Sequence, residues 1–277
     1  MSTPPAPRKP LPSLIGERYR DFSSNFIFHQ PLPPAFSTIL SHRSIRSFLP
    51  TPLPVGTLQT LSAAGQSAST FSMLQTWSVI AIQDPSHKDA VARISDNQDF
   101  IRQAPLFLIL CTDLHRLSTV IEQYGTAARH LGKIDMLHAA TVDAAIAAQN
   151  VAIAAEALGL GICMVGSVRN KAEQLAGLLY LPPRTFGLVG MAVGYADPAV
   201  HEDIKPCLPM RGVSRYETWD ESQEDHEENI KAFDEVLSRH HNVHLKVGRK
   251  PWSQFAVEWN ADGGMDGWAG SREGALG

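Results

Sequence analysis

From Thr141 to Leu158 the chain is apolar almost without interruption; only Thr141, Asp143, Gln149, Asn150 and Glu156 are polar. A helix that is apolar on every side cannot face water, so it must lie in a core or at an interface. The pattern predicts a helix from Met136 to Leu158. Gly159 and Gly161 would end it, since glycine readily takes the left-handed conformation of a helix C-cap. Whatever this chain folds into has to be arranged around that segment.

The chain has the apolar mass to do so. It has 277 residues, 44% hydrophobic and 19% charged, enough for a sizeable core. A net charge of -4 argues against a nucleic-acid surface. No stretch of about 18 or more uncharged apolar residues marks a membrane span. The first residues, MSTPPAPRKPLP, lack the apolar centre of a signal peptide. Cys111, Cys163 and Cys207 form no C-x-x-C, and their odd number is no disulfide framework. A reducing cytoplasm is the expected location.

Residues 1–35 hold eight of the 19 prolines and read as an extended arm. Leu14, Ile15, Tyr19, Phe22, Phe26 and Phe28 give it apolar contacts to place, and wrapping a partner subunit is the expectation. Residues 36–215 form the main domain, and 216–277 an acidic helix with a C-terminal extension. Within the main domain, a helix from Phe36 should end near the prolines at 50, 52 and 54. Thr57 reads as the N-cap of a helix to Ala68. Trp77–Ile82 and Leu106–Cys111 read as strands, the second buried on both faces. Further strands are expected at Ile162–Val165 and Thr185–Tyr195, with helices at Lys88–Ile94 and 171–179. Seven acidic residues between Glu217 and Glu228 lead into a helix around Ile230–Leu237.

Several standard chemistries are missing. Gly159-Leu160-Gly161 lacks the third glycine of a dinucleotide fingerprint and follows a helix rather than a strand. There is no Walker loop and no G-x-S-x-G elbow. His240 and His244 share helical spacing but have no H-E-x-x-H context and no evident third metal ligand. What remains is distributed. His42-Arg43-Ser44-Ile45-Arg46 carries two guanidiniums, which bind phosphate bidentately. Ser69, Thr70 and Ser72 sit in a hydroxyl-rich loop before Trp77. Gln98 precedes Pro105. Val165-Gly166-Ser167 lets backbone approach a planar ligand, because glycine has no Cβ. Lys205 follows the last strand. Together these suit one anionic, planar, polyhydroxylated ligand.

The order of these pieces resembles the nitroreductase family of FMN enzymes, in its NADPH-dependent nitro/flavin reductase branch. The matching stretches are Ser41–Arg46, Leu74–Trp77, Asn97–Pro105, Asp143–Asn150, Glu156–Gly161, Val165–Asn170 and Lys205–Pro209. The resemblance implies an α/β (α+β) fold with a central mixed, mainly antiparallel sheet flanked by helices. It implies an intertwined homodimer with two FMN sites at the subunit interface. Arg43 and Arg46 would take the FMN phosphate, with His42 and Ser44 assisting. Gln98 would hydrogen-bond the flavin, Val165, Gly166 and Ser167 would line its N5 edge, and Lys205 would add a contact. Ser69, Thr70, Ser72 and Met73 would line the cofactor site.

The implied reaction is ping-pong: hydride passes from NADPH or NADH to flavin N5, then to a nitroaromatic, quinone or flavin. The flavin does the chemistry, so no protein nucleophile or metal is expected. Arg249 and Lys250 are the candidates for the NADPH 2′-phosphate. Three departures stand out. Cys207 follows Lys-Pro where the family usually has arginine. Phe71-Ser72-Met73 replaces Ser-Ser-Asn. The region after Arg249 is short and glycine-rich. These leave two alternatives: the same fold and FMN with a specialised acceptor or a dehydrogenation, or a non-catalytic flavin-binding homologue.

Overall fold

The computed structural model describes residues 9–20, 33–219, 223–244 and 250–260. The chain divides into two compact units: Ser44–His201, and the described residues on either side of it.

The first unit is built on four antiparallel strands in the order β1-β2-β4-β3. They are β1 (Trp77–Ile82), β2 (Leu106–Asp113), β3 (Gly161–Val165) and β4 (Thr185–Gly194). Every residue of β2 is buried, as its unbroken apolar run predicts. Successive side chains point to opposite faces, so the strand feeds two cores. Phe107, Ile109 and Cys111 pack with α4 (Pro85–Ile94), α5 (Asp99–Gln103) and α8 (Ala172–Leu178). Leu106, Leu108 and Leu110 pack with α3 (Thr57–Gln66) and α7 (Ile134–Ala157). A further helix, α6 (His115–Gln123), follows β2.

The long apolar helix is α7, and its surface is divided rather than buried all round. Ala144, Ala147, Ala148, Val151, Ala152 and Ala155 recur at helical spacing and are buried against the sheet. Ile134, Leu137, Val142 and Ile146 are exposed within the chain. Gly159 follows at φ +80°, and Leu160 N–H closes the helix end on Ala155 O at 3.0 Å.

Among the described residues, the mixed character of the sheet is a single parallel bridge between Ser44 and Ile162 on edge strand β3. Ile45 N–H donates to Ile162 O at 2.8 Å. Ile45 is buried and lies over Gly161, where a Cβ would meet its Cγ1 at 2.7 Å. Leu49 N–H to Tyr195 O at 2.9 Å and Asp197 N–H to Ser47 O at 3.0 Å fasten the next residues. The segment covers an edge that would otherwise be open to pairing with another chain.

Two local expectations are corrected here. Thr57 is inside α3 rather than its cap; Gly56, at φ +89°, turns the chain first, and the Thr57 hydroxyl donates to Pro54 O at 2.7 Å. The loop after α3 contains a short helical turn, Phe71–Met73.

In the second unit the arm is not simply extended. Leu11–Tyr19 is a helix, α1. Pro12 falls in its first turn, where the missing N–H has no partner to lose. Leu14 and Ile15 are buried with Leu40, from α2 (Pro34–Leu40), and with Ile204. Leu14 and Ile15 are therefore satisfied by their own chain rather than by a partner. Phe22, Phe26 and Phe28 lie outside the described residues, as does the glycine-rich end from Ala261. The acidic stretch leads into α9 (Gln223–His244), longer than expected. On it, Phe233 meets Trp252 of α10 (Trp252–Asn260) edge-on at 5.7 Å. Asp234 accepts from Ser253 N–H at 2.9 Å and so caps α10.

Gly161→Ala should lower stability by about 1–3 kcal/mol, because the new methyl collides with buried Ile45. Gly177→Ala, on α8 with nothing within 4 Å of its Cβ position, should be neutral or stabilising. Denaturant melts of the two variants check this; equal costs would mean that Ile45 is not seated on Gly161.

Candidate functional site

The bridge to β3 governs how the arginine-bearing segment is presented. In extended chain, alternate side chains face opposite ways. Ile45 faces inward, which turns its neighbours Ser44 and Arg46 outward; both are partly exposed. Arg43, which precedes them at the end of the other unit, is exposed, with Nη1 3.4 Å from Ser41 O.

Beyond β3 the chain turns through Gly166–Arg169. Here two predicted residues come together: Gln98 Nε2 donates to Ser167 Oγ at 2.7 Å. Ser167 Oγ in turn donates to Ser95 O at 3.2 Å. Ser167 is buried and Gly166 is exposed. A Cβ on Gly166 would first meet the Arg169 guanidinium, at 3.3 Å, and that guanidinium is held by Leu188 O at 2.6 Å. The Ser95 hydroxyl is buried and has no hydrogen-bond partner among the described residues.

Gln98 is positioned by a strained turn. Asp96 and Asn97 are both left-handed, at φ +59° and +57°. Such residues cost energy and persist only when their surroundings hold them. Arg102 does much of the holding. It donates to Asn97 Oδ1 at 2.5 Å, Asp99 Oδ1 at 2.8 Å and Asp89 Oδ1 at 2.7 Å. Its hydrogen bond keeps the Asp89 carboxyl below the usual range. Asn170 Nδ2 secures Asp96 at 2.9 Å.

The hydroxyl-rich loop is held in the same way. Ser72, Met73 and Gln75 have φ of +47°, +57° and +50°. Asp143, buried on α7, accepts from Phe71 N–H at 2.8 Å, Thr76 N–H at 3.2 Å and Thr76 Oγ1 at 2.9 Å. Arg116 Nη1 donates to Gln75 O at 2.7 Å. In this loop Ser69 and Ser72 are exposed and Thr70 is half-buried. Phe71 is 52% and Met73 82% exposed. Asp143 and Arg102 were in matching stretches but not singled out. The signal for Asp143 was there: it is a lone acid in an alanine-rich helix, where an ionised side chain needs partners.

The remaining candidates lie in the other unit. Lys205 is exposed between buried Ile204 and buried Pro206. Lys250 is paired with Glu258, with Nζ 2.6 and 2.8 Å from the two carboxylate oxygens. Arg249 lies outside the described residues, as does the side chain of His244. His240 is buried, with Nδ1 3.3 Å from Arg20 Nη2. Two of the thiols are no activated nucleophiles: Cys111 is pushed up to about 12 by burial, helped by Asp113, and Cys163 is buried.

Residues 39–195 match the model of the nitroreductase family. The chain is 35% identical over 218 residues to an FMN reductase (NADPH) of Bacillus subtilis, covering 78% of this chain and 87% of that protein. It is 34% identical over 222 residues to an NADPH-flavin oxidoreductase of Vibrio harveyi, again covering 78% and 87%. Among solved structures, the NfrA1 nitroreductase from B. subtilis superposes with a TM-score of 0.79 at 31% identity, over 85% of this chain and 96% of that one. The NADPH:FMN oxidoreductase from V. harveyi complexed with NAD+ gives 0.71 at 31% identity, over 80% and 89%.

Asp143→Ala should cost about 2–3 kcal/mol, since it leaves the Phe71 and Thr76 donors without their acceptor. Proteolysis should then cut within 69–76 sooner than in the native chain. Unchanged melting and unchanged cleavage would show that the loop does not depend on this carboxylate.

Proposed function

The chain belongs to the nitroreductase family, and from that premise we propose that it passes hydride from NAD(P)H through FMN to a nitroaromatic, quinone or flavin acceptor, in alternating half-reactions. The observation that carries the reading is the arginine-bearing segment bridged to the edge of β3, the strand that runs directly into Gly166, Ser167 and their partner Gln98.

The donor set suits FMN. Arg43 and Arg46 offer guanidiniums to its phosphate, with His42, Ser44 and Lys205 as further polar contacts. Gln98 has an amide and Ser167 a hydroxyl for the edge of a planar ring. Gly166 presents backbone without a side chain, and the buried Ser95 hydroxyl adds spare hydrogen-bonding capacity beside Ser167. When bound, FMN supplies the redox chemistry, taking hydride from reduced nicotinamide and giving it to the acceptor. The protein's part is to orient. The Asp96–Asn97 turn aims Gln98, and Arg169 supports the bare backbone at Gly166 from the Cβ side. The Asp143 clasp sets the loop carrying Ser69, Thr70, Ser72 and Met73. For the 2′-phosphate of NADPH we propose Lys250 with its neighbour Arg249; Lys250 would exchange the Glu258 carboxylate for the phosphate.

Exposed Ile134, Leu137, Val142 and Ile146 on α7 support a homodimer, since a second copy would cover an apolar stripe that water meets in the single chain. Three cysteines, none in a disulfide, support a cytoplasmic setting. Exposed Phe71 and Met73 favour a second reading for the acceptor alone: a specialised, apolar or aromatic molecule rather than a broad range.

The purified protein should be yellow and release FMN rather than FAD on denaturation. Anaerobic NADPH or NADH should bleach it. A colourless protein that cannot be reconstituted with FMN would falsify the reading. Arg46→Ala should weaken FMN binding by about 1–3 kcal/mol, the range for a hydrogen bond to a charged group; titration of the apoprotein measures it.

A further inference from the structure

The N-terminal helix α1 ends on a cation that the FMN reading does not use. Arg18 is in its last turn. Nε and Nη2 donate to Leu40 O at 3.1 and 3.0 Å, and Nη2 also to His42 O at 2.6 Å. Nη1 donates to Cys207 Sγ at 3.7 Å. The Arg18 carbonyl accepts from Cys207 N–H at 2.8 Å. One residue thus ties together the end of α2, the residue before Arg43, and the residue two beyond Lys205.

These partners have a common property. None is a carboxylate: two are carbonyls and one is a cysteine sulfur. Among the described residues Arg18 pairs with no carboxylate. A half-buried guanidinium keeps its charge at any physiological pH and normally finds an anion there. Leu40 O ends a helix and has no partner in the next turn, so it gains from a cation. That accounts for part of the arrangement but leaves the charge without a carboxylate partner among the described residues. His42 and Arg43, whose backbone Arg18 holds, belong to the segment read as binding phosphate.

We propose that Arg18 is a positioning residue for the FMN phosphate: it fixes the backbone that carries Arg43 and supplies, beside Cys207, the positive charge that position lacks. Its donors are spent on the Leu40 and His42 carbonyls and the Cys207 thiol. It therefore acts through the segment it holds and through its field, not by touching the flavin. This rests on the FMN reading above. It gives the N-terminal helix a role in cofactor affinity, and it predicts that position 207 and position 18 are interchangeable sources of one charge.

The test compares two flavins on the apoprotein of the full chain: FMN, and riboflavin, which has the ring but no phosphate. Arg18→Ala should weaken FMN about 10-fold to 100-fold and leave riboflavin unchanged. Adding Cys207→Arg should recover FMN affinity, because the residue 207 side chain already comes within 4 Å of the guanidinium that Arg18→Ala removes. Equal losses for both flavins would make Arg18 a structural residue only and overturn the proposal. So would an unchanged FMN affinity, or a double variant that recovers nothing. If Arg18→Ala does not fold, Arg18→Lys is read in the same way: it keeps the charge but cannot form the fork, and a smaller, FMN-selective loss is expected. FMN affinity equal to wild type in the lysine variant would overturn the fork. Wild-type protein that binds neither flavin would sink the FMN reading itself, before any variant is made.

Discussion

A strand that is apolar on both faces has to be covered twice. β2 sets that condition, and the arrangement of Ser44–His201 follows from it. Phe107, Ile109 and Cys111 need one layer of helices, and Leu106, Leu108 and Leu110 another. α7 meets the second need with alanines, which let its backbone come close to the sheet from Ala144 to Ala155. Once both faces are closed, polar chemistry has only strand ends, the sheet edge and the connecting loops left to it. The candidate residues of this unit are found there: Arg46 on the segment at the β3 edge, Ser167 past the end of β3, Gln98 between α4 and α5, and the hydroxyls between α3 and β1.

The loop between α3 and β1 holds unfavourable backbone. Ser72, Met73 and Gln75 each sit in the left-handed region, at a cost of about 1 kcal/mol or more apiece. Asp143 gives three hydrogen bonds back, each worth about 1.5–3 kcal/mol when the acceptor is ionised. The two are of the same order, so the loop keeps this backbone only while the helix supplies its acceptor. A carboxylate in an alanine face is costly to bury, which makes sense only if its partners are always present. Asp143 is thus a constraint on two elements at once: it forbids α7 from sliding along the sheet and forbids the loop from relaxing.

The parts legible in the sequence were those whose signal is local and periodic. β2 announced itself by an unbroken apolar run, and α7 by its length and its glycine stop. The two-faced character of α7 was not legible, because alanine, isoleucine and valine count alike in a pattern of apolar and polar positions. Their difference is size, and size matters only once a neighbour is in place. α1 was hidden by composition: prolines at 10 and 12 read as an extended chain, whereas a proline in a first turn is no obstacle to a helix. The seat of Ile45 on Gly161 joins residues far apart in the chain, and no local pattern carries it. The arginines were visible as chemistry, but the carbonyls and carboxylates that orient Arg18, Arg102 and Arg116 were not.

The same distinction separates what cofactor binding and acceptor choice demand of the chain. A phosphate asks for charge and reach, which several residues can supply; if Arg18 acts as proposed, its guanidinium makes a cysteine at 207 compatible with that demand. A substrate pocket asks for shape, and under the proposed function that shape would come from Phe71 and Met73, exposed on a backbone that Asp143 holds in a strained form. Substitution within that loop changes which molecule fits without touching the groups assigned to the phosphate. Specificity can therefore diverge while the arginine-bearing segment stays as it is, and resemblance in that segment speaks for the cofactor far more strongly than for the acceptor.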